Sequence, residues 1–536
     1  MKSIKKGIAM LLAVVMLMGV FAVPVFAAVQ SDFSLAERAE HLFYKLVDKL
    51  ILILGKFLNS IIPGINWTGK IPDISSYVTE NFYSGKDKFD YEIKDGAVWS
   101  MGFSSRSFLD NIDLTGGEYY LAGKISFAEP IVAKGVLDDQ GVSVYALSDG
   151  ETTVVYAAVD GYSLARGDVL EIRSRLADFA DENNISSINV SALHQHSCID
   201  TLGLGAALLP VILRNPLSSL FYEKGMVSGV NKSFMEEIYS AVTASVIEAV
   251  NSMKEGSLYF GNADISEYIK DKREPAVFDP NFERIRFVPY DESANEIWVC
   301  ETGLHPTSVS SANGYVTSDF PYYIKQYVKE ICGADVVFIQ GAELALTRNT
   351  SSLSFDPAAS LTAEPAALGE ALGKKLIAIE NDEPLAPVLN VSHRELEVIA
   401  ENPVHIIAGR EGLLSTVMVK DGIDFAVITE IGYMELGNSL GILLVPGEID
   451  PAIIWGGAVD PNKSWTGKSW EYAPLADTIE TKNVICFGLC NDQIGYILCD
   501  NDYRSMLTEN EEINALTPYA GSVLTQAFEK FISEVK

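Results

Sequence analysis

The chain is 536 residues long, with 72 acidic against 40 basic side chains and a formal net charge of -32. Such a surface repels phosphate backbones and excludes nucleic acid as a partner. The length allows two or three average domains or one large α/β unit, and 48% hydrophobic residues supply ample core.

Lys2, Lys5 and Lys6, the apolar run from Ile8 to Val23 and the small-residue pattern Val25-Phe26-Ala27 read as a secretory signal over residues 1–27. An uncleaved anchor is the rival reading. The apolar run is short and stops at Pro24, so cleavage and a secreted, extracellular protein are expected. From Ser34 to Ile62 apolar residues recur at helical spacing, with Ser34 and Glu37 as a capping box, and Pro63-Gly64 ends the pattern. Docking of this amphipathic helix on the body is favoured over peripheral membrane contact through residues 34–62. The stretch from Gly64 to Asp95 is polar and turn-rich, and reads as a linker.

Strand and helix signals then alternate. Thr152 to Val159 is a predicted strand with its turn at Asp160-Gly161, and Val169, Ile172, Leu176 and Phe179 mark one helix face. Ile188 to Leu193 is the next strand, so a crossover between neighbouring parallel strands is expected. It runs into His194-Gln195-His196-Ser197. Two imidazoles one residue apart on extended backbone point the same way, a common start to a transition-metal site.

Further partners are sought at the ends of later strands, where open α/β sheets collect ligands. Ile297 to Thr302 leads to His305-Pro306, and Asp335 to Gln340 and Phe425 to Glu430 are further strands. Leu440 to Val445 leads to Pro446-Gly447-Glu448, and Val484 to Phe487 to Gly488-Leu489-Cys490-Asn491, with Tyr496 shortly after. Two imidazoles, a carboxylate and a phenol thus stand at four strand ends, a set that catalytic zinc can use. Cys486 and Cys490 have a zinc-ligand spacing but lack a second pair. The six cysteines are expected as buried thiols, with one disulfide left open. His41, His393 and His405 fall outside these motifs.

These residues resemble the neutral, non-lysosomal ceramidases. His194-Gln195-His196-Ser197 is similar to that family's HTHS segment. Leu304-His305-Pro306-Thr307-Ser308, followed by Thr317-Ser318-Asp319, is similar to its HPVSM segment and Ser-Asp pair. Val445-Pro446-Gly447-Glu448 and Gly488-Leu489-Cys490-Asn491 with Tyr496 resemble its glutamate and tyrosine segments, and Tyr120-Leu121-Ala122-Gly123 and Val159-Asp160-Gly161 match weaker landmarks. The likeness runs in order from about Met101 to Phe531. It implies a Zn2+ ion held by His194, His305, Glu448 and Tyr496, and hydrolysis of an N-acyl amide bond by activated water. It places His196 beside the metal, either moving a proton and stabilising the oxyanion or orienting the ligands. Tyr496 is either a ligand or a buried phenol hydrogen-bonded to the site.

Two departures qualify the resemblance. The family's GDVSPN-like loop has its counterpart in Gln340-Gly341-Ala342-Glu343-Leu344-Ala345-Leu346, with Leu344 at the serine position. The Gly-Pro after HTHS is replaced by Cys198-Ile199. The expected substrate is therefore a small-molecule or lipid N-acyl compound rather than ceramide in particular. The alternative is a non-catalytic, zinc-containing relative that binds an amphipathic ligand or cell-surface partner. The expected architecture is α/β: a helical arm and linker over 28–95, then a large mixed-sheet catalytic unit over 96–536, its metal site at the carboxyl ends of strands.

Overall fold

The computed structural model describes residues 32–536 apart from 62–63, 67–68, 117–118, 124–128, 209–214, 216–227 and 509–510. Residues 1–27, expected as a secretory signal, lie outside the described residues. Strands β1 (Trp99–Ser107), β2 (Gly141–Ser148), β3 (Thr153–Val159), β4 (Ile185–Ala192), β5 (Lys254–Asp264), β6 (Asn281–Pro289), β7 (Ile297–Thr302) and β8 (Asp335–Gln340) form one mixed sheet. Its order is β8-β7-β6-β5-β1-β2-β3-β4, with Glu383–Leu385 added on β5. The pairs β3–β4 and β7–β8 are parallel, the former joined by the expected crossover through helices Arg166–Arg175 and Ala177–Glu182. A second mixed sheet has the order β9 (Leu389–Ile399), β10 (Asp424–Leu436), β11 (Leu440–Leu444), β12 (Asn483–Phe487), its last pair parallel.

The layering follows from alternation along the strands. On β2 and β3, Tyr145, Leu147, Val154 and Tyr156 face a core shared with Leu389, Met434, Ile442 and Phe487 of the second sheet. The intervening Val144, Ala146, Val155 and Ala157 face a core with Phe234, Ile238 and Val242 of helix Lys232–Asn251. On the outer side of the second sheet, Tyr433, Leu443 and Cys486 pack with Leu524, Phe528 and Ile532 of the terminal helix Ala520–Val535. Helix, sheet, sheet and helix are therefore stacked: the α/β, mixed-sheet architecture expected, with two sheets where one was read.

Strand β4 joins the sheets by chemistry as well as by packing. Its Ile188 and Val190 face the helix-side core, while Ser187 and Asn189 meet His393 (2.8 Å) and Asn491 (2.9 Å) across the sheet interface. Beside them Arg173 and Arg166 close on Glu430 with contacts of 2.7 and 2.6 Å, all three side chains buried, and Arg166 also pairs with Glu395. Paired guanidinium groups hold the Glu430 carboxyl well below the usual range against the cost of burial.

The N-terminal helix α1 (Leu35–Ile61) forms with the expected capping box: Ser34 N–H donates to Glu37 Oε2 (2.7 Å) and Glu37 N–H to Ser34 Oγ (3.3 Å). It docks through Phe33 stacked on Trp465 (4.2 Å), Arg504–Glu40 (3.2 Å) and Ser505–Asp48 (2.9 Å). Leu35, Phe43, Ile53, Leu54 and Phe57 stay exposed along one side. Among the described residues no helix is long and apolar enough to cross a membrane. The 64–95 stretch lies against the second sheet, burying Ile71 and Phe89. All six cysteines are free thiols, five of them buried.

Candidate metal centre

The ends of β4, β7, β8, β11 and β12 are laced together by main-chain hydrogen bonds. Gly341 N–H donates to Thr302 (3.0 Å), Gly488 to Gln340 (2.8 Å), and Asn491 to Val190 (2.8 Å). The segments leaving these ends carry the residues singled out from the sequence.

Past β4 the backbone turns, with His194 in the left-handed region at φ 62°. That conformation is uncommon for a side chain of this size and is held only where the surroundings enforce it. Strand alternation is therefore not what aims the two imidazoles together, because β4 has already ended at Ala192. The turn brings the His194 and His196 ring centroids to 4.8 Å, and His194 and His305 to 5.1 Å. Gln195 points elsewhere: it accepts from Gly161 N–H and donates to Asp160, each at 2.9 Å, and Asp160 pairs with Lys325 at 3.1 Å.

His194 is fully buried. Its Nδ1 donates to the Tyr162 carbonyl at 2.9 Å, leaving Nε2 unprotonated and without a hydrogen-bond partner in the neutral ring. His194 Nε2 lies 3.3 Å and His305 Nε2 3.4 Å from Glu448 Oε2, while Glu448 Oε1 accepts from Gln493 at 3.0 Å. His305 Nδ1 faces Glu343 Oε2 at 3.4 Å. Tyr496 is the Cα partner of Glu448 in a short parallel ladder, and burial together with the nearby carboxylate raises its phenol well above the usual range. His196 is half-buried at the rim with Nε2 unpartnered. It rests on Gly123, where φ is +76° and a Cβ would stand 2.6 Å from that of His196.

Glu343 was missed from the sequence. Fully buried, with neither carboxylate oxygen hydrogen-bonded, it groups with His194, His305 and Glu448, all donor atoms lying within 4.8 Å of one another. The available signal was positional: it stands three residues past the end of β8, as His305 stands three past β7. Leu344, at the place of the family serine, is buried beside Tyr496. His41, His393 and His405 lie away from the cluster, against Trp465, Ser187 and Asn514 respectively.

The donors fit a divalent cation. Ligand atoms bound to tetrahedral zinc at about 2.0–2.1 Å stand ~3.3–3.4 Å apart, the spacing found between Glu448 Oε2 and both imidazoles. Burial disfavours charge on His194, yet Glu448 and Glu343 outweigh it and raise the ring to about 9. A pocket that draws a proton so strongly calls for positive charge. Burial holds His305 and His196 below the usual imidazole range.

Compared with solved structures, the chain is similar to the neutral ceramidase from Pseudomonas aeruginosa. The TM-score is 0.60 at 15% identity, over 82% of this chain and 74% of that one. It is likewise similar to a ceramidase complexed with C2, with a TM-score of 0.58 at 15% identity over 81% and 75%. No family model and no curated sequence matches, so the likeness is one of fold.

Proposed function

We propose that a protein with this fold and this donor set is a secreted, zinc-dependent hydrolase of N-acyl amide bonds. The observation that carries the reading is the meeting of two buried imidazoles and one carboxylate oxygen at 3.3–3.4 Å, with His194 Nε2 and Glu448 Oε2 left without hydrogen-bond partners. His194, His305, Glu448 and Tyr496 would hold the ion, and Glu343 would orient His305 through Nδ1 as second carboxylates commonly do for ligating histidines. Bound there, zinc supplies Lewis acidity to water and to the scissile carbonyl.

The chain's own groups perform the rest. His196 Nε2, free at the half-open rim, accepts the proton that water loses as its oxygen adds to the acyl carbon. It returns that proton to the nitrogen as the C–N bond breaks, giving an amine and a carboxylic acid that ionises by losing its remaining proton to solvent. Gln493 keeps Glu448 in place by donating to its Oε1. Tyr162, packed edge-on to His196 at 5.2 Å, limits the ring's motion.

The substrate reading is an N-acyl small molecule or lipid, since the structural neighbours are ceramidases. Export rests on the signal pattern of residues 1–27. The exposed apolar side of α1 suits peripheral contact with a lipid surface, and co-sedimentation with liposomes, with and without residues 34–62, tests that point. The central test is hydrolysis of a varied panel of fluorogenic N-acyl substrates by wild type and His194→Ala, with zinc measured in both. Metal-dependent turnover lost in the variant supports the enzyme. Retained zinc with no turnover across the panel leaves the non-catalytic binder.

A further inference from the structure

Tyr496 has two sides. Its main chain pairs with that of Glu448, and it also lines a neighbouring chamber of about 560 Å³. That chamber is hydrophilic, with seven charged residues among its ten lining side chains. A hydrocarbon placed there would strip water from charged groups and return nothing.

Most of the charge is already spent. Arg273 closes on Asp502 (2.6 Å) and Glu511 (3.0 Å). Arg504 pairs with Glu40 (3.2 Å) and lies over the Trp465 ring at 4.3 Å. Lys272 is different: its nearest carboxylate oxygen, on Glu511, is 3.9 Å away, and its side chain is 55% exposed. Its main chain is fixed, because Lys272 N–H donates to Ala345 in the segment that also carries Glu343. Among the described cations of the wall, Lys272 has the longest ion pair. Glu512, buried, contributes a carboxylate oxygen with no hydrogen-bond partner. A cation and an acceptor in one polar chamber suit the carboxylate and the nitrogen of an amino acid.

Resting on the amidase reading above, we infer that the amine half of the substrate is an amino acid whose carboxylate is taken by Lys272, so that N-acyl amino acids are cleaved in preference to N-acyl amino alcohols. The test compares an N-acylglycine with the N-acylethanolamine of the same acyl chain, which differ in carboxylate against hydroxymethyl. In the zinc-loaded full chain, kcat/KM favours the glycine conjugate by roughly ten- to hundredfold, the worth of one charge-assisted hydrogen bond. The ratio falls toward one in Lys272→Ala and recovers in Lys272→Arg. Equal rates in wild type, preference for the ethanolamide, or a ratio untouched by Lys272→Ala overturns the inference and leaves the amidase intact. Cleavage of neither compound nor of any other N-acyl substrate, with zinc bound, overturns both.

Discussion

Tyr162 holds His194 twice: its ring stacks on the imidazole at 4.6 Å and its carbonyl takes the Nδ1 proton at 2.9 Å. The main-chain bond fixes which nitrogen faces the donor cluster; the stacked ring fixes the angle. Tyr162→Leu keeps the first and removes the second. We expect it to fold normally and to lose about tenfold in zinc affinity, read by competition with a chromophoric chelator.

His305→Ala and Glu343→Gln separate a ligand from the group that orients it. His305→Ala should lose bound metal outright in elemental analysis. Glu343→Gln should retain it, with affinity weakened by ~10- to 100-fold. If Glu343→Gln is as empty as His305→Ala, Glu343 is itself a ligand and Tyr496 is displaced from the set.

Gly123→Ala should harm the site without touching it chemically. The added Cβ would meet the His196 carbonyl oxygen at 2.4 Å, and φ of +76° already disfavours any side chain. A loss of more than about 1 kcal/mol is expected in urea unfolding, together with reduced turnover at unchanged zinc content. Wild-type turnover would show that His196 can shift freely and is not the proton carrier.

Acid stability should carry the signature of His393. Burial holds its ring down to about 4 against an ordinary 6.5, the neighbouring Glu430 only partly offsetting this. The unfolded chain therefore binds the proton more readily. The contribution of His393 to stability is complete above pH 6.5 and declines as the pH drops toward 4, by up to about 3 kcal/mol. Glu430, held low by its two arginines, adds its own loss only below the ordinary carboxylate range. In His393→Gln the slope between pH 6.5 and 4 should flatten, whatever the absolute stability of that variant.

Much of the frame was legible. Ile297–Thr302 and Asp335–Gln340 are strands with the boundaries read from the sequence, because each is a short apolar run bounded by polar or turn residues. The division into two sheets was not, since pairing between distant strands leaves no mark on local periodicity. Ile71 and Phe89 anchor a stretch read as linker, for isolated apolar residues among polar ones give no period to detect. His194, His305, Glu448 and Tyr496 were recognisable as residues after strand ends. Their grouping required the fold, and Glu343 lies in a loop segment whose likeness to the family drew attention to the serine position and not to the carboxylate beside it. The convergence of His194 and His196 was anticipated on the wrong ground: a left-handed turn, not an extended strand, produces it.

Trp465 lies between Phe33, just before α1, and Arg504 on the chamber wall, and Arg504 in turn holds Glu40 of the same helix. The arm is thus a buttress for the room next to the donor cluster, although it contributes no donor of its own. A truncated protein beginning at Gly64 would keep all the proposed zinc-binding side chains yet present an altered vestibule, so shortened versions are unsafe proxies when substrate choice is surveyed.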